Sequence, residues 1–455
     1  MGRGTPQPPL TLEMNAAAVE SLSDYYDEPA WMREARRSAW QQYESLSLPR
    51  KTEEAWRRVP VARYPWTGQR VVVAPLSLTN IDDLPPCWVH PLPPTQLLSG
   101  ILVHYNGAPA YAELNETERA KGVVLADLHA ALHTHGDLIR RYWMQGTTTR
   151  PDFNKFTALN AALWHGGTFV YVPEGVRVAR PLQALTGYNI QGGAGLHHTL
   201  IVAEKGARVT LLQDRISQES APALNAEIVE IIAEEGAWIR YASLQHWGDQ
   251  SHTVSVQEAR LARDAHLLWV SGSLGGQVTK EFLRTELLGP GARGEMQGFN
   301  FAVGRQHLDQ STYQHHRAPD TYSDLLFRNV LRDQARTVFY GMIRVEPEAQ
   351  RTQGYQANNN LLLVDRTTGE AQKVKPRAHS IPGLEIIAND VSCSHGATVS
   401  RLAEEQLFYL QARGIPRPET EQLIVQGFLR PIIERVPLAC MREQLDNEVA
   451  RRFWG

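Results

Sequence analysis

The sequence predicts a mainly β protein: a coiled β-solenoid with helical regions before and after it. Three observations carry this. From about Gly166 the texture changes to short alternating apolar and polar runs bounded by glycines. Within that stretch a turn-like motif recurs at a near-constant spacing. Beyond Val399 the pattern becomes helical, with clear stop signals. The implied division is 1–165, mainly helical; 166–398, the solenoid; and 399–455, a helical cap.

In the first region, Trp31, Ala35, Ala39, Tyr43 and Leu46 recur at steps of four and three between Pro29 and Leu48, which draws a stripe down a helix that Pro49 stops. Lys51 to Arg58 (KTEEAWRR) can begin another turn. Gln69 to Pro94 has little periodic signal. Ile101 to Tyr111 reads as a hairpin, since Asn106-Gly107 favours a tight turn between apolar flanks. A helix is expected over about Val124 to Tyr142.

The recurring motif of the second region appears as Glu174-Gly-Val-Arg-Val, Glu204-Lys-Gly-Ala-Arg-Val, Glu234-Glu-Gly-Ala-Trp-Ile and Gly289-Pro-Gly-Ala-Arg-Gly. Gly175, Gly206 and Gly236 are 31 and 30 residues apart, and Gly291 follows after 55. The skipped copy falls at Arg263-Asp-Ala-His, with Asp264 in the glycine place. Glycine or aspartate tolerates the left-handed backbone that each coil needs where it turns. Each coil buries its apolar face only against its neighbours. A sandwich with irregular hairpins is the competing architecture.

In the third region Ser400 is a candidate cap, with Glu404 and Glu405 in the first turn where the helix dipole favours them. Arg413, Gly414 and Pro416 form a stop. Pro418 opens a second helix carrying Leu423, Ile424 and Phe428, which Pro431 kinks or breaks. Met441, Leu445, Val449 and Phe453 mark a third. About 55 residues are too few to fold alone with ease, so this cap should pack on the solenoid or on another protein.

Composition narrows the function. In 455 residues, 46 Lys and Arg balance 49 Asp and Glu, which gives no basic excess for nucleic acid. No run of about 18 apolar residues spans a membrane. The opening MGRGTPQPPLTLEMNAAAVE has no apolar signal core and reads as a disordered lead-in, which with the scattered Cys87, Cys393 and Cys440 favours a reducing, cytoplasmic setting. There is no P-loop, nucleophile elbow or dinucleotide fingerprint, and no carboxylate pair stands out. A binding protein is a better reading than an enzyme.

The pair that could bind something is Cys393 and His395. If Leu384 to Val399 is a strand, the two side chains share a face about 6.6 Å apart along it. Both could reach one metal or sulfide, yet two donors do not complete a tetrahedral site. The remaining ligands must come from afar or from a second chain. A buried thiol and a hydrogen-bonded imidazole are the structural alternative. His197-His198 and His315-His316 are adjacent pairs whose members face opposite sides of a strand, so neither chelates. His246, His252, His266 and His307 each read as single strand residues.

The block Asn389-Asp-Val-Ser-Cys-Ser-His-Gly-Ala-Thr-Val399, followed by Glu404-Glu-Gln-Leu-Phe-Tyr-Leu-Gln-Ala-Arg-Gly-Ile415, resembles the SufB/SufD family of iron–sulfur cluster assembly proteins, most closely its SufD branch. Supporting matches include Lys155-Phe-Thr-Ala-Leu-Asn-Ala-Ala-Leu163, Gly167-Thr-Phe-Val-Tyr-Val-Pro173 and His316-Arg-Ala-Pro-Asp-Thr-Tyr-Ser323. Others are Val338-Phe-Tyr-Gly341, Asn358-Asn-Asn-Leu-Leu-Leu363, Pro382-Gly-Leu-Glu-Ile386, Glu28-Pro-Ala-Trp31 and Glu53-Glu-Ala-Trp56.

The resemblance implies a right-handed parallel β-helix core flanked by N- and C-terminal helices. It implies a non-catalytic scaffold and adaptor of the SufBCD complex that pairs with a SufB-like protein through its last strands and docks a SufC-like ABC ATPase. By carry-over, Cys393 and His395 hold iron or a transient nascent iron–sulfur cluster shared with SufB, with nothing tightly bound to the isolated chain. Leu407, Phe408, Tyr409, Leu410 and Arg413 become the candidate ATPase-docking residues, some of them packing inward. Two departures stand out. The N-terminal cysteine cluster usual in SufB is missing, which argues against a primary sulfur acceptor. Asp365 to Arg377 (DRTTGEAQKVKPR) is a longer loop than some members carry. Two other readings stay open: a β-helix enzyme acting on polysaccharide, which would need a carboxylate or basic cluster along one solenoid face and secretion, and a homodimeric scaffold pairing through the same edge.

Overall fold

The structure, a computed structural model, describes residues 8–76, 78, 80–84, 92–190, 192–217, 223–364 and 375–454. Cys87 and most of the loop from Asp365 to Arg377 fall outside them. The chain opens with β1 (Leu10–Glu13), α1 (Ala16–Tyr25), α2 (Ala30–Ser45), β2 (Arg70–Val73), β3 (Gly100–Tyr105), β4 (Ala108–Leu114), α3 (Glu116–Ala120), β5 (Val124–Asp127), α4 (Leu128–Thr134), α5 (Gly136–Tyr142) and α6 (Lys155–Leu163). Sixteen strands follow: β6 (Gly166–Val172), β7 (Leu182–Tyr188), β8 (Gly193–Ala203), β9 (Arg208–Ser217), β10 (Ala223–Ala233), β11 (Trp238–His246), β12 (Ser251–Leu261), β13 (His266–Ser273), β14 (Val278–Leu287), β15 (Arg293–Ala302), β16 (His307–His316), β17 (Tyr322–Leu331), β18 (Arg336–Val345), β19 (Thr352–Leu362), β20 (Arg377–Ile386) and β21 (Val391–Arg401). Helices α7 (Glu404–Gln411), α8 (Arg417–Ile433) and α9 (Ala439–Trp454) end the chain.

From β8 on, even strands stack in one parallel sheet and odd strands in a second. Each coil therefore contributes one rung to each wall, the expected solenoid. The turn column behaves as its spacing demands. Gly175, Gly206, Gly236 and Gly291 have φ of 65–75°, and Asp264 stands in the same conformation at 55°. Two later positions invisible to the motif, Asp320 and Arg351, continue the column at 61° and 57°. Each amide in it donates to a carbonyl of the next coil, as Gly206 N does to Glu235 O at 2.8 Å and Asp264 N to Pro290 O at 2.9 Å. That ladder holds neighbouring coils in register at the corner.

Between the walls, apolar residues such as Ile231, Leu261, Leu283, Met296, Leu325 and Phe339 fill the interior. A column of asparagines runs through it: Asn300 Nδ2 donates to Asn329 Oδ1 at 2.6 Å, and Asn329 Nδ2 to Asn360 Oδ1 at 2.7 Å. Asn360 Nδ2 then reaches the Thr398 carbonyl on β21 at 3.0 Å. Stacked carboxamides satisfy one another without water.

The first region corrects several expectations. The opening segment is not wholly a lead-in: β1 pairs antiparallel with β2, and Asn15 caps α1 by accepting from Ala18 N at 3.1 Å. β2 also lies inside the stretch that lacked periodic signal. On α2 the buried positions are Met32, Arg36, Ala39 and Trp40, one step round from the predicted stripe. Arg36 is the reason. Its guanidinium is fully buried, pairs with Glu28 at 2.7 Å and donates to Ala162 O and Trp164 O at the end of α6. Burial pushes the Glu28 carboxyl up, but Arg36 and His129 outweigh it and hold Glu28 well below its usual range. The hairpin of β3 and β4 forms as expected, with Asn106 at φ 49° and Gly107 at 79°. The helix expected from Val124 begins instead as β5, because Asp127 ends the strand and caps α4 by accepting from Ala130 N.

At the other end, Leu384 to Val399 is not one strand. It is the end of β20, a turn over 387–390, and β21 in the opposite wall. Ser400 lies inside β21 and does not cap; Ala403 occupies the N-cap of α7 with no side-chain hydrogen bond. Gly414 takes φ 86° after α7, and Arg413 falls just past that helix. Pro431 sits inside α8, which continues to Ile433. The buried face of α8 is Val425, Leu429, Ile432 and Ile433, while Leu423 is exposed. With Met441, Leu445 and Val449 of α9, these pack against Phe301, Val330 and Leu361 on the outside of the odd-strand wall.

Candidate functional site

β20 and β21 are the last strands of their sheets, and no element of the described chain covers either edge. Thus the solenoid ends in two open strands side by side. Exposure follows: nearly every residue of β21 is exposed.

The register of β21 on β19 fixes which side chains point between the walls. Gly354 faces Cys393, Gln356 faces His395, Asn358 faces Ala397 and Asn360 faces Val399. Gly354, Gln356, Asn358 and Asn360 are all buried. Cys393 and His395 therefore extend inward-facing columns, at the rim where those columns reach solvent. The predicted shared face holds even though the predicted strand was too long.

Cys393 is half-buried and packs against a small apolar group that includes Ile343, Val345 and Leu384. Burial pushes its thiol up, against a hydrogen bond from the Gly354 backbone. The thiol hangs over a hollow made by Gly354: a Cβ there would lie 3.3 Å from Cys393 Sγ and 3.5 Å from His316 Nε2. His316 belongs to β16 and faces inward, hydrogen-bonded to Thr321 Oγ1 at 2.8 Å and Ser323 Oγ at 2.9 Å. Burial, aided by repulsion from His315, drops its pKa to about 3, so its imidazole is neutral. Its neighbour His315 faces out, between Glu286 at 3.0 Å and Glu346 at 2.8 Å. The two members of this pair do point opposite ways. His395 is exposed, and among the described residues none hydrogen-bonds its ring.

No three His, Cys, Asp or Glu side chains converge with metal-binding geometry among the described residues. Cys393 and His395 lie at the rim on one face of β21, the shared face that their spacing predicted. Gly354 and Gln356 beneath them are not singled out by the sequence, and His316 stands out there only as half of an adjacent pair and the start of a family match. Only their register against β21 picks them out, and that needs the coil boundaries.

The α7 residues divide by face. Leu407 is buried, whereas Phe408 is 74% exposed and Tyr409 58%. Tyr409 and Leu410 line a cleft of about 600 Å³ with Glu405, Gln406, Ile424, Gly427 and Phe428. The Arg413 guanidinium stacks 5.1 Å from the Tyr409 ring and donates to its hydroxyl at 3.1 Å. This is an apolar surface with a cationic margin.

Two family profiles match the chain: "SufBD protein N-terminal region" over residues 20–184, and "SUF system FeS cluster assembly, SufBD core domain" over residues 187–428. Among curated relatives, the iron–sulfur cluster assembly protein SufB of Bacillus subtilis is 26% identical over 442 residues, covering 92% of this chain and 89% of its own length. An iron–sulfur cluster assembly SufBD family protein of Staphylococcus haemolyticus is 27% identical over 446 residues, with the same coverage.

Proposed function

The chain belongs to the SufBD family of iron–sulfur cluster assembly proteins, and from that premise we propose that it is a non-catalytic scaffold of the SufD kind. It reads as three working parts, 1–165, 166–398 and 399–455, with the last two meeting partners. The open β20 and β21 edges pair with a SufB-like protein. The α7–α8 surface, through Phe408, Tyr409, Leu410 and Arg413, docks a SufC-like ABC ATPase, with Leu407 supporting it from inside. Cys393 and His395 supply half of a ligand set for iron or a nascent cluster, which is substrate here, and the partner completes it. The setting is cytoplasmic.

The observation that carries this reading is the position of Cys393 and His395 on the inward face of an uncovered edge strand. An edge strand offers unpaired backbone groups to another chain, and a half-complete donor pair needs one. Thiolate and imidazole suit iron, and neither needs a resident cofactor nearby. The departure from SufB, with no cysteine cluster near the N-terminus, supports the SufD assignment.

Co-expression with SufB-like and SufC-like partners tests it. A stable complex is expected on size exclusion; removing 402–455, which leaves β21 whole, should release the ATPase, and His395→Ala should lower cluster yield while the fold is kept. Failure to form any complex, or a truncation without effect, would remove the proposal. A stable homodimer that excludes the SufB-like chain would replace it with self-pairing through the same edge.

A further inference from the structure

Gln356 is buried on β19 at 3% exposure, and neither its amide nitrogen nor its carbonyl oxygen has a hydrogen-bond partner. A carboxamide in that state is disfavoured, because it gives up water and gains nothing. The fold nonetheless makes room for it. Its end group lies over Gly341 on the opposite wall, where a Cβ would come within 2.4 Å of Oε1 and 2.7 Å of Nε2. Gly341 has no positive φ, so the backbone does not require glycine there. The glycine is needed for the space it leaves, and the space holds a carboxamide that no described protein group hydrogen-bonds.

What the carboxamide can reach explains the arrangement. Gln356 is the register neighbour of His395 on the same inward face, and adjacent strands are about 4.8 Å apart. The other wholly unpartnered interior carboxamide in these coils, Gln314, points the other way: its Oε1 lies 3.9 Å from the Cβ position of Gly294, deeper in the stack. His395 itself has a free ring. For one imidazole nitrogen to serve as a ligand, the other is normally held as N–H by an oxygen acceptor, which fixes tautomer and orientation.

We propose that Gln356 is the positioning residue of His395. Its carboxamide rotates from the Gly341 seat to the rim, and Oε1 accepts the imidazole N–H, leaving the second nitrogen aimed at the incoming metal. This deepens the reading of His395 as an iron ligand and rests on it, but the contact can be measured without iron. The Gly341 seat gives a control of opposite sign, since Gly341→Ala displaces only the flexible end of Gln356 and pushes it toward the rim.

The experiment follows His395 in long-range proton–nitrogen spectra of the full chain labelled with ¹⁵N-histidine, its signals assigned by their loss in His395→Gln. One ring tautomer should dominate in the unmodified protein. Gln356→Leu should relax the ratio to that of an exposed histidine, with an unchanged or raised melting temperature. Gly341→Ala should strengthen the bias, and Gln356→Glu, which keeps an acceptor at the same reach, should retain it. A ratio indifferent to Gln356→Leu overturns the proposal; if Gln356→Leu fails to fold, a bias that Gly341→Ala does not strengthen and Gln356→Glu does not retain overturns it instead. Ferrous iron titrated into the assembled complex separates the two readings. A 10- to 100-fold weaker affinity in Gln356→Leu is the expected scale for losing such a support. A tautomer shift without any change in iron affinity would leave the contact standing and remove the ligand role of His395.

Discussion

The two ends of the solenoid are finished in opposite ways. At the first end further strands extend both walls: the β3–β4 hairpin lies against β7, β2 and β6 lie against β8, and β1 and β5 pair with β2 and β6. The loop before α6 is then clamped to the wall. Met144 N and Thr149 Oγ1 both donate to buried Glu230 at 3.0 Å, while Thr147 N and Thr148 N donate to buried Glu258 at 2.7 and 2.6 Å. At the last end no element of the described chain covers β20 or β21, and the inward face of β21 carries Cys393, His395, Ala397 and Val399. Buried carboxylate clamps gather at one end and open backbone edges at the other. The difference is one of pairing: the first coils are flanked by further strands of this chain, and the last coil is flanked by none among the described residues.

The sharpest way to break the contrast is at the closed end. Arg36→Ala leaves Glu28 buried without its guanidinium, and uncompensated buried charge costs about 3–5 kcal/mol. Urea unfolding should show that loss, while an equal truncation on the β21 rim should not. A middle-sized effect comes from pH. Burial holds His165, at the closed end, at about 4 and His316, below the open end, at about 3. Unfolded histidine takes up a proton near pH 6.5, and these folded ones do not. Stability is therefore full above that pH and falls as pH drops toward the folded values, by about 1 kcal/mol per histidine between pH 6.5 and 5.5. The slope of unfolding free energy against pH should lose about one proton's worth when either histidine is replaced without disrupting the core. The smallest expected effect on stability is at the rim. Val399→Lys should change unfolding by no more than about 0.5 kcal/mol, yet weaken association through β21 at least tenfold on size exclusion, because a lysine on an edge strand discourages pairing.

How much of this could be read beforehand depends on whether the cause was local. The turn column was legible because left-handed backbone selects Gly or Asp wherever it occurs, and Asp264 was identifiable from spacing alone. Arg351, in the same conformation, was not. An arginine has no such preference, and what holds it there is a pair of 2.6 Å hydrogen bonds to Asp320 from the neighbouring coil. Arg36 was passed over for the same reason, since its partners Glu28, Ala162 and Trp164 are brought together only by folding. The shared face of Cys393 and His395 followed from the two-residue period of a strand. The end of β20 at Ile386 did not, because Ile387 and Ala388 continue an apolar run through the corner. Gln356 gave no signal either: a lone glutamine between tyrosine and alanine means nothing until the strand beside it is known.

The order of the coils along the chain has a consequence for synthesis. A nascent polypeptide emerges with its amino-terminal portion first, so the sealed cap and its clamps can be complete while the ribosome is still translating later rungs. Each new coil then docks on a finished template. The sticky final rung is the last coil to be made, with only α7, α8 and α9 still to follow, and the next strand it meets can belong to a different protein.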